Sequence, residues 1–210
     1  VKAATAGKKA VPAARAAASR LEKADVAVAR AAGPYLDTPL VHAIGLIGEA
    51  GDQPQLRTLC AALIAAGLAS GNRRLAVTGM KMLAAHTLAT VAKDFVKRRV
   101  DRTRPRTLVR EGRYEMEPGR HEGEEITSFP SGHTAGAVAV ARAFARSYPE
   151  HAAAAYTAAG AIALAQVPRC AHYPTDIVAG AVVGLAAESV GEQAQQAVGK
   201  AFPRGRRGTV

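Results

Sequence analysis

Tryptophan is absent from the 210-residue chain, and aromatic residues of all kinds amount to 4%. A β-sandwich core draws on Val, Thr, Tyr and Phe, so this scarcity argues against one. Alanine is abundant instead, and a core of small aliphatic side chains suits closely packed helices. Cysteine is scarce as well. Cys60 and Cys170 are too few for a disulfide framework and form no CxxC pair, so they say little about redox compartment. No stretch of ~18 strongly apolar, uncharged residues occurs. The best candidate, 152–168, is uncharged but dominated by Ala, and mean hydropathy is near zero. Residues 1–20 carry charge without an apolar run, so no cleavable signal peptide is expected.

Positive charge is in excess: net +11, from 28 Lys/Arg against 17 Asp/Glu. Most of it sits at the ends. Residues 1–32 hold seven cations against Glu22 and Asp25, and Lys200, Arg204, Arg206 and Arg207 lie in the last eleven positions. Basic ends suit an anionic surface, membrane lipid or nucleic acid, or are simply solvated tails. A chain of this length is most economically one domain with attached ends. The expected division is a basic helical segment at 1–35, a helical body at 36–199 and a basic tail at 200–210.

Along the body, Gly33-Pro34 closes a first helical stretch at about 11–32, and a short apolar segment follows at 39–48. The turn-like Gly51-Asp52-Gln53-Pro54 precedes a helix at 55–70, which Ser70-Gly71-Asn72 breaks. A long helix is predicted over 74–99, then two more at 132–147 and 150–166, and a last one from 174–176 to about 198. Between 100 and 130 the chain is rich in Arg, Glu, Gly and Pro without periodicity, which reads as a long functional loop. No strand alternation is evident. The predicted fold is all-α, a bundle of about six helices with its functional site at one end, fed by that loop.

Three ordered segments meet at that end: Lys97-RRVDRT-Arg104-Pro105, Pro130-Ser131-Gly132-His133 and Arg169-CA-His172-YPT-Asp176. Ser131 is a good N-cap, and the unpaired amides of a helix start attract anions. Gly132 lets the backbone approach such an anion closely. His172 and Asp176 are four apart across a helix start, so a carboxylate can orient one imidazole and leave its other nitrogen free to attack. Around His133 the positions one helical turn away are Phe, Pro, Gly and Ala. This asymmetry makes His172 the candidate nucleophile and His133 the candidate general acid. Lys97 supplies a point charge and Arg104 a rigid fork, both suited to phosphate oxygens. No metal is implied, since His121, Glu122, Glu124 and Glu125 lack a recognised ligand spacing.

Together these segments resemble the phosphatidic-acid phosphatase type 2 superfamily, which includes lipid phosphatases, bacterial acid phosphatases and vanadium haloperoxidases. The resemblance covers about 75–185. It implies a metal-independent phosphatase acting through a phosphohistidine on His172, with Lys97, Arg104, Ser131 and Gly132 holding phosphate and no cofactor. The family usually has an arginine six residues before that histidine. Here the position is Gln166, and Arg169 is the nearest replacement. The expected substrate is a phosphomonoester or diphosphate, most simply of a membrane lipid, with no nucleic-acid partner. A soluble acid phosphatase, a vanadate-dependent haloperoxidase and a catalytically degenerate basic membrane-binding protein are the alternatives.

Membrane insertion is argued from charge rather than hydropathy. A 132–147 helix spans only ~24 Å. Yet Arg73, Arg74, Arg142, Arg146 and the basic tail all fall at the end opposite the site, as the positive-inside rule gives for a site facing the periplasm from a bacterial inner membrane. Lys81 and Arg142 are expected to snorkel toward that end, and Glu188 to need a partner deep in the last helix.

Overall fold

The computed structural model describes residues 18–119 and 123–201. Among them it has eight α-helices and one two-stranded sheet. Helix α1 covers 18–32 and ends in a 3-10 turn at Gly33–Tyr35. Helix α2 (Pro39–Glu49) starts with Pro39 in its first turn, where a missing N–H is harmless, and Thr38 Oγ1 accepts from Val41 N at 3.4 Å. Helix α3 (Gln53–Ala69) follows directly, with Asp52 at its N-cap and Pro54 in its first turn. Asn72 caps α4 (Arg73–Lys97), its side chain accepting from Leu75 N at 3.1 Å.

The predicted loop is more ordered than its composition suggested. Strand β1 (Val100–Arg102) pairs antiparallel with β2 (Met116–Pro118), and α5 (Pro105–Glu111) lies between them. Pro105 opens α5, and Gly112 closes it at φ 72°, a left-handed conformation that glycine adopts without strain. Strands of three residues cannot display an alternation, which is why none was legible. Helices α6 (Gly132–Ser147), α7 (Ala152–Ala165) and α8 (Pro174–Ala201) complete the described residues.

Helix α6 is central and packs on α4, α7 and α8. It is therefore buried on nearly every side, and its buried positions include Ala135, Ala137, Ala139, Ala141, Ala143 and Ala145. Alanine allows short interhelical distances, and α8 comes close to α6. A Cβ on Gly180 or Gly184 would run into the carbonyl oxygens of Ser131 and Ala135. The main apolar cluster joins Leu56 and Cys60 of α3, Met82, Ala85 and Ala89 of α4, Ala139, Val140 and Ala143 of α6, and Ala187 of α8. Helix α1 is fixed to the site end of this body. Its Ala29 packs with Leu108 and Tyr173, and its buried Asp25 bonds to Arg102 and Thr175.

At the opposite end the charged side chains pair. Buried Glu188 is held by Arg142 Nε and Arg146 Nε, each at 2.7 Å, and Lys81 meets Glu192 at 3.0 Å. The outer faces are apolar: Leu40, Leu46, Leu68, Val91, Leu164 and Val182 are all exposed. Helices α4 and α8 are long and apolar enough to cross a membrane.

Candidate active site

The C-terminus of α4 and the N-termini of α5, α6 and α8 converge at one end of the bundle. Backbone bonds fix their relative positions: Ser131 N donates to Asp176 O at 3.0 Å, and Ser128 N donates to Arg102 O at 3.0 Å. A cavity of about 140 Å³ opens between them, lined by Gly51, Asp52, Gln53, Lys93, Lys97, Arg104, Gly132, His133 and His172. The two imidazoles face one another edge to face with ring centres 5.8 Å apart.

His172 is 2% exposed. Its Nδ1 lies 2.8 Å from the Ser128 carbonyl oxygen, and a carbonyl only accepts, so Nδ1 carries the proton and Nε2 keeps its lone pair. The sequence placed Asp176 in that orienting role. In the structure the carboxylate is 3.7 Å from Nδ1, too far for a hydrogen bond. Asp176 instead accepts from Ser128 Oγ at 2.5 Å, Tyr173 N at 2.8 Å and Arg102 Nη1 at 2.5 Å. Ser128 thus stands between the two, its hydroxyl on the carboxylate and its carbonyl on the histidine. Burial pushes the His172 pKa down to about 4, against the opposing pull of Asp176. The ring is therefore neutral over most of the pH range.

Arg102 is buried between Asp176 and Asp25, the latter 2.7 Å from Nη2. Burial works against its charge, and the two carboxylates more than offset that, leaving the guanidinium firmly protonated. Arg104, at the N-cap of α5, lines the cavity and donates to the Ala171 carbonyl at 3.3 Å. Lys97 donates to the Thr127 carbonyl at 2.5 Å. Ser131 itself is fully buried: its hydroxyl oxygen accepts from Thr134 N at 3.3 Å as the cap of α6, and Gly132 and His133 form the wall. The amides at that helix start, Lys97 and Arg104 together make a site suited to a multiply charged anion.

Around His133 the structure corrects the sequence reading. It does have a carboxylate, from a part of the chain 81 positions away. Nε2 lies 2.5 Å from Asp52 Oδ1 in the turn between α2 and α3. Burial lowers the His133 pKa below the ordinary histidine value, Asp52 raises it, and Arg169 and Arg104 oppose Asp52. The asymmetry between the two histidines is thus one of burial and of which group each bonds, and not of having a carboxylate.

Gln166 and Arg169 face α2. Gln166 is fully buried, and Nε2 donates to Gly48 O at 3.4 Å and Ile162 O at 3.0 Å. Arg169 lies against Gly45 and Gly48 and meets Glu49 at 3.5 Å, so neither side chain lines the cavity. Both brace the end of α2, from which Gly51-Asp52-Gln53 reaches the cavity. Of the acidic loop, residues 120–122 lie outside the described residues, and with them His121 and Glu122, which the sequence reading had set aside as metal ligands.

This disposition of cations, helix start and paired imidazoles agrees with the sequence comparison. The profile of the PAP2 superfamily matches residues 78–197. The chain belongs to the PAP2 superfamily. A curated relative, a lipid A 1-phosphatase of Porphyromonas gingivalis, is 33% identical over 88 residues. That alignment takes in 40% of this PAP2 chain and only 20% of the relative. Among solved structures, the first transmembrane PAP2 type phosphatidylglycerolphosphate phosphatase from Bacillus subtilis superposes with a TM-score of 0.59 at 21% identity, covering 89% of this chain and 90% of that one. LpxE of Aquifex aeolicus gives 0.57 at 20% identity, covering 79% and 92%. These two likenesses are of fold, and the PAP2 fold is the helical bundle described above. The sequence had picked out Lys97, Arg104, Gly132, His133 and His172, all on the cavity wall. It missed Asp52, which no local spacing marks, and Lys93, one turn before Lys97. It also passed over Ser128 and Arg102, which orient the others without lining the cavity.

Proposed function

We propose that this PAP2 protein is a phosphatase that hydrolyses a phosphomonoester or diphosphate of a membrane lipid through a phosphohistidine on His172. The observation that carries this reading is the Nδ1–H···O=C bond to Ser128, which leaves an unprotonated Nε2 on a ring lining a cation-rich cavity. In the first step Nε2 bonds to phosphorus while the phosphorus–oxygen bond to the lipid breaks. His133 gives that departing oxygen its proton. The lipid oxygen takes the place that Asp52 Oδ1 holds beside Nε2 of His133. In the second step His133, now neutral, takes a proton from water as the water oxygen bonds to phosphorus. The phosphorus–nitrogen bond breaks and inorganic phosphate leaves. Charge on the transferring group is met by Lys97, Arg104 and the start of α6, and no metal is assigned to the reaction.

A membrane location follows from the exposed apolar side chains and from α4 and α8 as its crossing helices. Arg73, Arg74, Arg142 and Arg146 at the far end favour a cavity facing the exterior. The reading is tested by measuring phosphate release, with EDTA present, from vesicles of phosphatidate, phosphatidylglycerophosphate, undecaprenyl diphosphate and lipid A phosphate. Release from at least one is expected. No release from any, or release abolished by EDTA, overturns it.

A further inference from the structure

Lys93 is the one cation on the cavity wall that no recognised motif contains. It lies one helical turn before Lys97, so both side chains leave the same face of α4 toward the same space. The side chain runs along the start of α6. A Cβ built on Gly132 would stand 3.4 Å from its Cδ and Cε and 4.0 Å from Nζ. The residue is only 8% exposed, and its ammonium pairs with the carboxylate of Asp94, the half-exposed next residue. A long, flexible cation kept inside a membrane-facing helix carries a desolvation cost that an apolar residue would avoid. Burying it beside the unpaired amides of a helix start places like partial charges together as well, unless an anion sits between them.

We propose that Lys93 is a phosphate-binding residue. Its Nζ leaves Asp94 and donates to an oxygen of the phosphoryl group held at the start of α6. With Lys97 and Arg104 it gives the cavity three cations, at a site where Gln166 and Arg169 contribute none to the wall. The inference rests on the phosphatase reading for its substrate but not for the anion. The probes are therefore orthovanadate, as a competitive inhibitor of phosphate release from phosphatidate in mixed micelles, and inorganic phosphate binding to the full chain in detergent.

Lys93→Met is expected to lower kcat/KM and weaken orthovanadate inhibition by about tenfold or more, the range for one charge-assisted contact. Lys93→Arg should recover most of both. Asp94→Asn should leave both near wild type, because it removes the resting partner and not the anion. Inorganic phosphate should also protect Lys93 of the wild-type chain from amine-directed labelling, read by peptide mass spectrometry. This measurement stands even where Lys93→Met fails to fold. Absence of protection, or an Asp94→Asn loss equal to that of Lys93→Met, overturns the assignment and leaves Lys93 a structural ion pair. A wild type that binds phosphate through Lys93 yet releases none from any lipid overturns the phosphatase reading and spares this one.

Discussion

The two ends of the bundle handle positive charge differently. At the end away from the cavity, cations are neutralised by carboxylates in compact groups. Glu188 takes both Arg142 and Arg146, Glu192 takes Lys81, and Glu150 takes Arg74 at 3.1 Å. At the cavity end, Lys97 is steadied by a backbone carbonyl, a neutral acceptor that fixes its position and leaves its formal charge intact. Other cations at this end do meet carboxylates: Lys93 pairs with Asp94, Arg169 with Glu49, and most completely Arg102. It is enclosed by Asp25 and Asp176 and never reaches the wall, so it holds the scaffold while Lys97 faces the space. Charge enclosed by two carboxylates stays in the scaffold, whereas charge on the wall is held by a backbone carbonyl at Lys97 and by a single half-exposed carboxylate at Lys93.

Substitutions at the two ends should therefore separate activity from stability. The largest effect belongs to His172→Ala. Phosphate release should fall by about 10⁴-fold or more, including with an activated aryl phosphate, because removing the nucleophile leaves only binding and electrostatics. Normal hydrolysis of the aryl phosphate by this variant would mean that the nucleophile lies elsewhere. Next is Glu188→Ala at the far end, which strands two guanidiniums around a buried position. It should destabilise the protein by about 3 kcal/mol in thermal denaturation, with kcat/KM for the remaining folded protein unchanged. If activity per folded molecule fell instead, the two ends would not be independent.

Asp52→Asn should have an intermediate effect. Asp52 raises the His133 pKa, so its loss lowers the fraction of protonated acid at neutral pH. Turnover of lipid substrates, which are poor leaving groups, should drop by about 10²-fold, and aryl phosphate turnover much less. The pH profile carries the sign. For wild type, kcat/KM should rise as pH climbs through about 4, where His172 loses its proton. It should fall again at a higher pH, below the ordinary histidine value, where His133 deprotonates. Asp52→Asn should shift only that second limb, and to lower pH. A shift of the lower limb instead would exchange the roles of the two histidines. Smallest of all is Arg169→Ala. With its guanidinium against α2 and Glu49, it should change kcat/KM by less than about tenfold and act through the placement of Asp52. A larger loss accompanied by weaker vanadate inhibition would put Arg169 on the phosphate after all.

What the sequence revealed follows the reach of local rules. The long helices were legible to within a residue or two at most ends, because Asn72, Ser131 and Pro174 mark starts and Gly71 a stop. The convergence of the three segments followed from counting helices up and down. Helix α5 was missed although Pro105 and Gly112 bracket it in the usual way, since seven residues rich in Arg and Glu display no apolar face. The partner of His133 was missed for a different reason. Searching three and four residues away finds only neighbours on the same helix, whereas Asp52 arrives across the bundle from another turn. Ser128 was illegible too, because its decisive group is a backbone carbonyl, which every residue has.

That carbonyl has a consequence for how the site is assembled. Ser128 fixes the proton of His172 through its main chain and the carboxylate of Asp176 through its side chain, so one short span of backbone sets two elements of the candidate site together. The stretch leading into α6 is also the stretch that ends the segment carrying β1, α5 and β2. Seating that stretch and setting the His172 tautomer are then a single event. A protein in which it lifts away would lose the fixed tautomer of His172 before losing any helix.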